Sequence, residues 1–341
     1  MTTTEQLRAW VLEDFGFDPV SLEAVEHGAD TTAILWRAVS ADGARYAIKV
    51  GAEPRTGVAV AALLAESGEP GVPAPVRSRY GQPWSERSGQ RLSVVPWVSD
   101  RRAIDEGMNA ARWKSFGELL ARIHSTQVTS ELKQVLPHEV YDHDAVASLV
   151  RRVDERFQRL SDRAVTGVDE LTRSVAQQWL ASSSDILTLL NQADQLAAQL
   201  TKQPVAYAVC HADPHLGNVL LGEAEPPWGV WLVDWDDAMF APIELDLMFV
   251  LGGVLAFAPV TELEQSWFFS GYGQVDVDPQ LLAYYRCTRA LVDVADPAVQ
   301  VLDAERWTSS ERAAALSIVE GVLSPTGLVT LAMSSLTQGP L

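Results

Sequence analysis

Two cysteines, Cys210 and Cys287, are all that the 341 residues contain. That is too few for a disulfide framework or a zinc site. Nowhere do 18 uncharged apolar residues run together. The most apolar stretch, Leu245 to Val260, carries Asp246 near its start and meets Pro259 at its end, so it reads as buried core rather than a membrane span. The opening MTTTEQLRAWVLEDFG has no basic segment followed by an apolar one, so no export leader is expected, and a cytoplasmic location is. Positive charge is scarce. The formal net charge is −19, which argues against nucleic acid as a partner. The scarcity is greatest over residues 213–305, where 16 acidic side chains face only Arg286 and Arg289. Such a surface can serve solvation alone, or it can draw a cationic ligand. Also missing is G-x-x-x-x-G-K-[ST], so a P-loop nucleotide site is not expected. There is no internal repeat and no low-complexity tract.

With 47% hydrophobic and 21% charged residues, the chain is of globular type and long enough for two lobes with separate cores. Residues 5–14 read as a helix. Strand-like runs follow at 32–39 and 45–50, joined by Ser40-Ala41-Asp42-Gly43, whose Asp-Gly pair suits a hairpin. An Ala/Leu-rich helix spans Val58 to Glu66 and stops at Ser67-Gly68. Further strands are expected near 75–80 and 91–95, and Pro96 is a natural boundary. Beyond it the pattern turns helical: Trp113, Phe116, Leu119, Leu120 and Ile123 share one face, as do Ile186, Leu189, Leu190, Ala193, Leu196, Ala197 and Leu200. Two short apolar runs, 206–210 and 230–235, interrupt the helices.

Those runs bracket the residues that carry chemistry. His211-Ala212-Asp213 and Asn218 form H-x-D-x-x-x-x-N, and Asp234-Trp235-Asp236 begins sixteen residues after Asn218. In protein kinases such a loop supplies an aspartate that accepts the substrate hydroxyl proton and an asparagine that holds Mg²⁺, while a second aspartate holds the metal against the phosphates. Five residues of loop let the aspartate face the nucleophile while the asparagine turns back to the metal. Oxygen ligands from Asn218 and Asp234 suit a hard cation. The other reading of these residues is a capped turn and the end of an acidic strand. Tyr46-Ala47-Ile48-Lys49-Val50 resembles the V-A-I-K strand whose lysine pairs with nucleotide phosphates, and Lys49 is the only lysine in residues 1–97. Alone it could equally be a snorkelling surface lysine. The loop Glu26 to Thr32 contains a single glycine and shows only a turn.

Taken together, these motifs resemble the aminoglycoside phosphotransferase and choline kinase-like superfamily over nearly the whole chain. Gly117 to His124 is similar to a helix of that family. Cys210 to Asp213, Gly217 to Leu220, Asp234 to Asp236 with Met239, Ala241 and Pro242, Asp246 to Phe249, Gly271-Tyr272-Gly273 and Tyr284-Tyr285-Arg286 resemble the branch acting on aminocyclitol antibiotics. The resemblance implies an α+β, protein-kinase-like two-lobed fold, with a nucleotide-binding lobe over 1–96 and a helical lobe over 97–341. It implies Asp213 as catalytic base and Asn218 and Asp234 as Mg²⁺ ligands. Lys49 would bind the nucleotide phosphates, with Gly28, Asp30 and Thr31 in the positioning loop. ATP (or GTP) would lie against a hinge near Val95 and Val98. The implied acceptor is a cationic aminocyclitol or aminoglycoside hydroxyl, with Asp237, Glu244, Arg289 and Asp293 as candidate contacts. No protein partner and no membrane is implied. Two alternatives stay open: a kinase for choline, an amino alcohol or a sugar derivative, and a nucleotide-binding regulator without catalysis. The sequence departs from the pattern twice. The helix after the lysine strand lacks the family's acid, leaving Glu53 as the nearest candidate partner of Lys49, and Thr288 and Val292 stand where that branch carries acids. His124 and His215 are expected to be structural.

Overall fold

The computed structural model describes residues 3–25, 33–52, 56–162, 168–222 and 229–337. In chain order the elements are α1 (Thr4–Phe15), β1 (Pro19–Ala24), β2 (Ala33–Ser40), β3 (Arg45–Gly51), α2 (Thr56–Glu66), β4 (Trp84–Arg87) and β5 (Gln90–Pro96). Helices α3 (Ala103–Glu106), α4 (Ala110–His124), α5 (Ser130–Val135), α6 (Asp144–Asp162) and α7 (Glu170–Leu200) follow. Four short strands, β6 (Ala208–Cys210), β7 (Val219–Leu221), β8 (Val230–Leu232) and β9 (Met239–Ala241), come next. The chain ends in α8 (Glu244–Leu247), α9 (Glu262–Tyr272), α10 (Pro279–Leu302), α11 (Ser309–Val322) and α12 (Leu328–Thr337). None of these helices is long and apolar enough to cross a membrane. The residues group into two compact units: 1–138 with 208–241 and 266–274, and 139–207 with 242–265 and 275–341.

In the first unit β1 to β5 form an antiparallel sheet in the order β1-β2-β3-β5-β4. The β2–β3 hairpin closes where the sequence places it. Gly43 adopts φ +85°, a conformation only glycine takes without strain, and Asp42 Oδ1 accepts the Ala44 N–H at 3.1 Å. Strand alternation sends Ile48, Val50, Leu92 and Val94 to one face, where they pack with Leu7, Trp10 and Val11 of α1. One expectation needs correction. Residues 75–80 are not a strand: Pro75 has no N–H to give a ladder, Val76 N–H reaches Val94 O at 2.8 Å, and the next donors turn elsewhere, Ser78 N–H to Gln82 O and Arg79 N–H to Asp14 O, both at 2.7 Å. Strands β1 and β4, at the two edges of the sheet, are additional: β1 opens on Pro19, and both alternate too briefly to stand out.

The second unit is helical. Its axis is α10, which packs against α6, α7, α11 and α12. Phe249, Val250, Val254 and Val260 of the most apolar stretch are buried there, as expected of core. Arg312 of α11 is buried, donates to the Val301 carbonyl at 2.7 Å and meets Asp169 at 2.8 Å. Asp169 also caps α7, accepting the Thr172 N–H at 3.0 Å. That N–H first, and the Arg312 guanidinium with it, hold the Asp169 carboxyl down at about 2. Asp169→Ala is therefore expected to cost about 1–2 kcal/mol of stability, the scale of a lost helix cap. Because the folded-state pKa is depressed, the wild-type contribution is complete above the ordinary aspartate range and is lost as pH falls toward 2. Denaturant melts should show the variant's deficit at pH 7 and its disappearance in acid.

Candidate active site

The sheet register places Lys49. It pairs with Ser93 across β5 and with Leu35 across β2, and Ala47 pairs with Val95. Since Ile48 and Val50 point into the core under α1, Lys49 and Val95 belong to the opposite face. Lys49 is three-quarters covered, so it is no snorkelling surface lysine. Its ammonium forms an ion pair with Asp236 and lies 3.4 Å from Asp234 Oδ1. The chain leaves the sheet through Val95 and Val98, both half-buried. The Trp97 N–H donates to the Arg45 carbonyl at 2.9 Å, which fixes this segment to β3.

Between β6 and β7 runs the loop with His211, Asp213 and Asn218. His211 is fully buried. Its Nε2 lies 2.9 Å from the Val233 carbonyl, while its Nδ1 accepts the Asp213 N–H at 3.3 Å. A carbonyl only accepts, so a proton sits on Nε2, and one ring joins the Asp213 backbone to the segment leading into Asp234. Asn218 closes the loop: its Nδ2 donates to the Asp213 carbonyl at 2.9 Å and lies 3.5 Å from Asp213 Oδ2. This commits the amide nitrogen and leaves Asn218 Oδ1 as a hard oxygen donor. The Val233 N–H donates to the Asn218 carbonyl at 3.0 Å, tying the two metal-ligand candidates through one backbone bond. Ala212 and Asp234 both sit at positive φ, +67° and +64°. A left-handed backbone at residues with a Cβ costs on the order of 1 kcal/mol each, and such strain gathers where side chains must be aimed. Burial pushes the Asp236 carboxyl up from its ordinary range, and Lys49 opposes that shift.

Lys49, Asp213, Asn218 and Asp234 thus all belong to the first unit, and Asp237, exposed, follows on the same turn. Gly28, Asp30 and Thr31, like Glu53, lie outside the described residues. Glu244, Arg289 and Asp293 belong to the second unit. Glu244 is buried and accepts the Asp278 N–H at 2.9 Å, which sets the start of α10. Arg289 and Asp293 pair with each other at 2.9 Å, one turn apart on α10, and the Arg289 guanidinium lies 5.2 Å from the Phe249 ring centroid. Thr288 donates its hydroxyl back to the Tyr284 and Tyr285 carbonyls at 3.1 and 3.2 Å.

Two contacts go beyond the motif reading. Asp236 meets Lys49; its only sequence signal was the second acid of D-x-D. His215 packs its ring over Gly217, where a Cβ would lie 2.7 Å from His215 Cε1. The Gly217 N–H donates to His215 Nδ1 at 2.9 Å, leaving Nε2 to face Asp213 Oδ2 at 3.5 Å. His215 is structural in the sense that it braces the aspartate.

The donor set fits a magnesium nucleotide. Two carboxylates already hold a cation, Lys49, and Asn218 adds a neutral oxygen. The chain is similar to spectinomycin phosphotransferase in complex with ADP and spectinomycin, at 26% identity, TM-score 0.84, and 98% of each chain covered. It shares the fold of an amicoumacin kinase, at 17% identity and TM-score 0.63 over 95% of this chain and 94% of that one. It likewise shares that of a choline/ethanolamine kinase family protein from Mesorhizobium loti, at 15% identity and TM-score 0.57 over 98% and 99%. No curated protein sequence matches significantly. The fold is kinase-like: a five-stranded antiparallel sheet, then a largely helical region. The profile of the phosphotransferase enzyme family matches residues 36–291, a span holding Lys49, Asp213, Asn218 and Asp234, and the chain belongs to that family.

Proposed function

We propose that the chain is an ATP- and Mg²⁺-dependent O-phosphotransferase of the cytoplasm whose acceptor is a hydroxyl of a cationic aminocyclitol, spectinomycin foremost, conferring resistance by phosphorylation. The observation that carries the reaction type is the assembly of Lys49, Asp213, Asn218 and Asp234 around one strained loop and turn. Asn218 and Asp234 would hold Mg²⁺, and Lys49 the nucleotide phosphates. Bound ATP supplies the transferable γ-phosphoryl group. Asp213 orients the acceptor hydroxyl and takes its proton, so most of the catalysis is positioning and charge stabilisation. The acceptor class rests on the similarity to spectinomycin phosphotransferase along 98% of the chain and on the charge of −14 over residues 213–305.

The test is direct. Incubation with ATP, Mg²⁺ and spectinomycin should yield a phosphate adduct by mass spectrometry. If the acidic region draws the antibiotic, its KM should rise with added salt several-fold more than the KM for ATP. Phosphorylation of choline or a neutral sugar with no spectinomycin adduct would replace this reading by the metabolite-kinase one. Nucleotide binding without turnover across a wide acceptor panel would favour a regulator.

A further inference from the structure

Kinase-type sites position their phosphate-binding lysine with an acid from the following helix, and here the described residues of that helix, 56–66, carry none near its start. Helix α2 reads TGVAVAALLAE. Its one acid, Glu66, is the last residue and pairs with Arg77. We propose that Asp236, on the turn after β8, is the acid that orients Lys49 for the nucleotide, so that the metal-binding turn sets the lysine in place of α2. The inference rests on the phosphotransferase reading above.

Three observations support it. Lys49 is ion-paired with Asp236 and lies 3.4 Å from Asp234. Asp236 is the better shielded of the two acids, its side chain 29% exposed against 47% for Asp234, so its pairing is less screened by water. The third observation is Gly57, in the first turn of α2. A Cβ there would lie 2.3 Å from Asp236 Oδ1, 2.7 Å from its Cα and 2.8 Å from its amide nitrogen. The start of α2 therefore rests directly on residue 236, an approach only glycine permits. The space beside α2 is filled by a carboxylate from another part of the chain, which also favours the positive end of the helix dipole.

One consequence is mechanical. Asp234 and Asp236 flank the buried Trp235, whose Nε1–H donates to the Leu232 carbonyl at 3.1 Å. Metal ligand and lysine anchor thus share one rigid turn. Asp236 is a positioning residue: it acts on the phosphates through Lys49.

The experiment measures binding of a non-hydrolysable ATP analogue by calorimetry at varied Mg²⁺, in the full chain. Asp236→Asn should weaken binding roughly tenfold, a loss of about 1.4 kcal/mol. Lys49→Met should weaken it at least as much, and the double variant should be no weaker than Lys49→Met alone, because one interaction is removed twice. The Mg²⁺ concentration for half-maximal binding should stay within about twofold of wild type in Asp236→Asn and rise well beyond that in Asp234→Ala. Gly57→Ala keeps both charges but displaces Asp236, and should reproduce the loss in a background with Lys49 and not in Lys49→Met. It serves as the test if Asp236→Asn melts early. Multiplying effects of the two single variants, an Mg²⁺ requirement raised in Asp236→Asn as in Asp234→Ala, or an equal loss from Glu53→Gln would each overturn the assignment. A wild-type chain that binds no nucleotide would refute the phosphotransferase reading itself, which is a different result from binding with additive variants.

Discussion

Asp213→Asn is expected to cut turnover by on the order of 100-fold or more, the scale of a positioned acid–base group, while nucleotide affinity stays within about twofold and the melting temperature hardly moves. The substitution keeps the side chain's size, and the loop is held by groups it does not touch. Asn218 Nδ2 donates to the Asp213 backbone carbonyl, not chiefly to its carboxylate, at 2.9 against 3.5 Å. The Asp213 N–H is anchored on His211, and His211 on the Val233 carbonyl. The variant amide can turn its oxygen toward His215 Nε2 and Asn218 Nδ2, so the local hydrogen bonds survive. What is lost is a charge and a proton acceptor. Steady-state assays with the best acceptor, beside calorimetry with the nucleotide, separate the two quantities. Near-wild-type turnover would remove the assigned role from Asp213. A loss of nucleotide binding as large as the loss of turnover would make it a structural residue.

The site was legible in the sequence where its parts are local. His211, Asp213 and Asn218 lie in one eight-residue span, so their spacing alone implies a loop that points two side chains at one place. Lys49 was legible through alternation, since apolar Ile48 and Val50 on either side force it to the other face of β3. Its anchor was not. The Lys49–Asp236 pair joins residues 187 apart in the chain, and nothing at either position announces the other. The missing acid on α2 showed that a substitute was needed, and pointed to Glu53 only because it is near in sequence. Gly57 carries the decisive information, but a glycine early in a helix reads as a mild helix weakener until the contact it permits is seen. The strained backbone at Ala212 and Asp234 is nearly silent in sequence, because alanine gives no sign of a positive φ and aspartate only a weak one. The expected strand at 75–80 failed for an opposite reason: its apolar spacing was right, and its proline could not pair.

Gly117→Val is expected to destabilise the chain by about 3 kcal/mol or more, the upper range for inserting atoms into a packed site, whereas Gly321→Ala, also within a helix, should stabilise it by several tenths to about 1 kcal/mol. Gly117 lies midway along α4, and a Cβ there would lie 2.1 Å from the Phe268 carbonyl oxygen and 2.7 Å from the Tyr272 amide nitrogen of α9. Gly271 of α9 returns the contact: its Cβ would lie 2.0 Å from the Lys114 carbonyl oxygen. The two helices meet backbone to backbone, and backbone cannot swing aside as a side chain can. Around the crossing Phe116 packs edge-on to Phe268 with centroids 5.4 Å apart, and His124 Nδ1 bonds the Tyr272 hydroxyl at 2.7 Å. Two stretches that resemble family signatures, Gly117 to His124 and Gly271-Tyr272-Gly273, are therefore halves of one joint. Because α4 also packs against β6, the strand leading into His211, a forced separation of α4 from α9 should loosen the loop from His211 to Asn218 as well. Gly321, in contrast, would meet only the Ala256 Cβ, at 3.8 Å, an ordinary contact. At about 2–4 °C per kcal/mol for chains somewhat smaller than this one, thermal melts should place the two variants on opposite sides of wild type, Gly117→Val lower by roughly 5–10 °C. A Gly117→Val chain that melts with wild type would mean that α4 and α9 do not cross at these glycines.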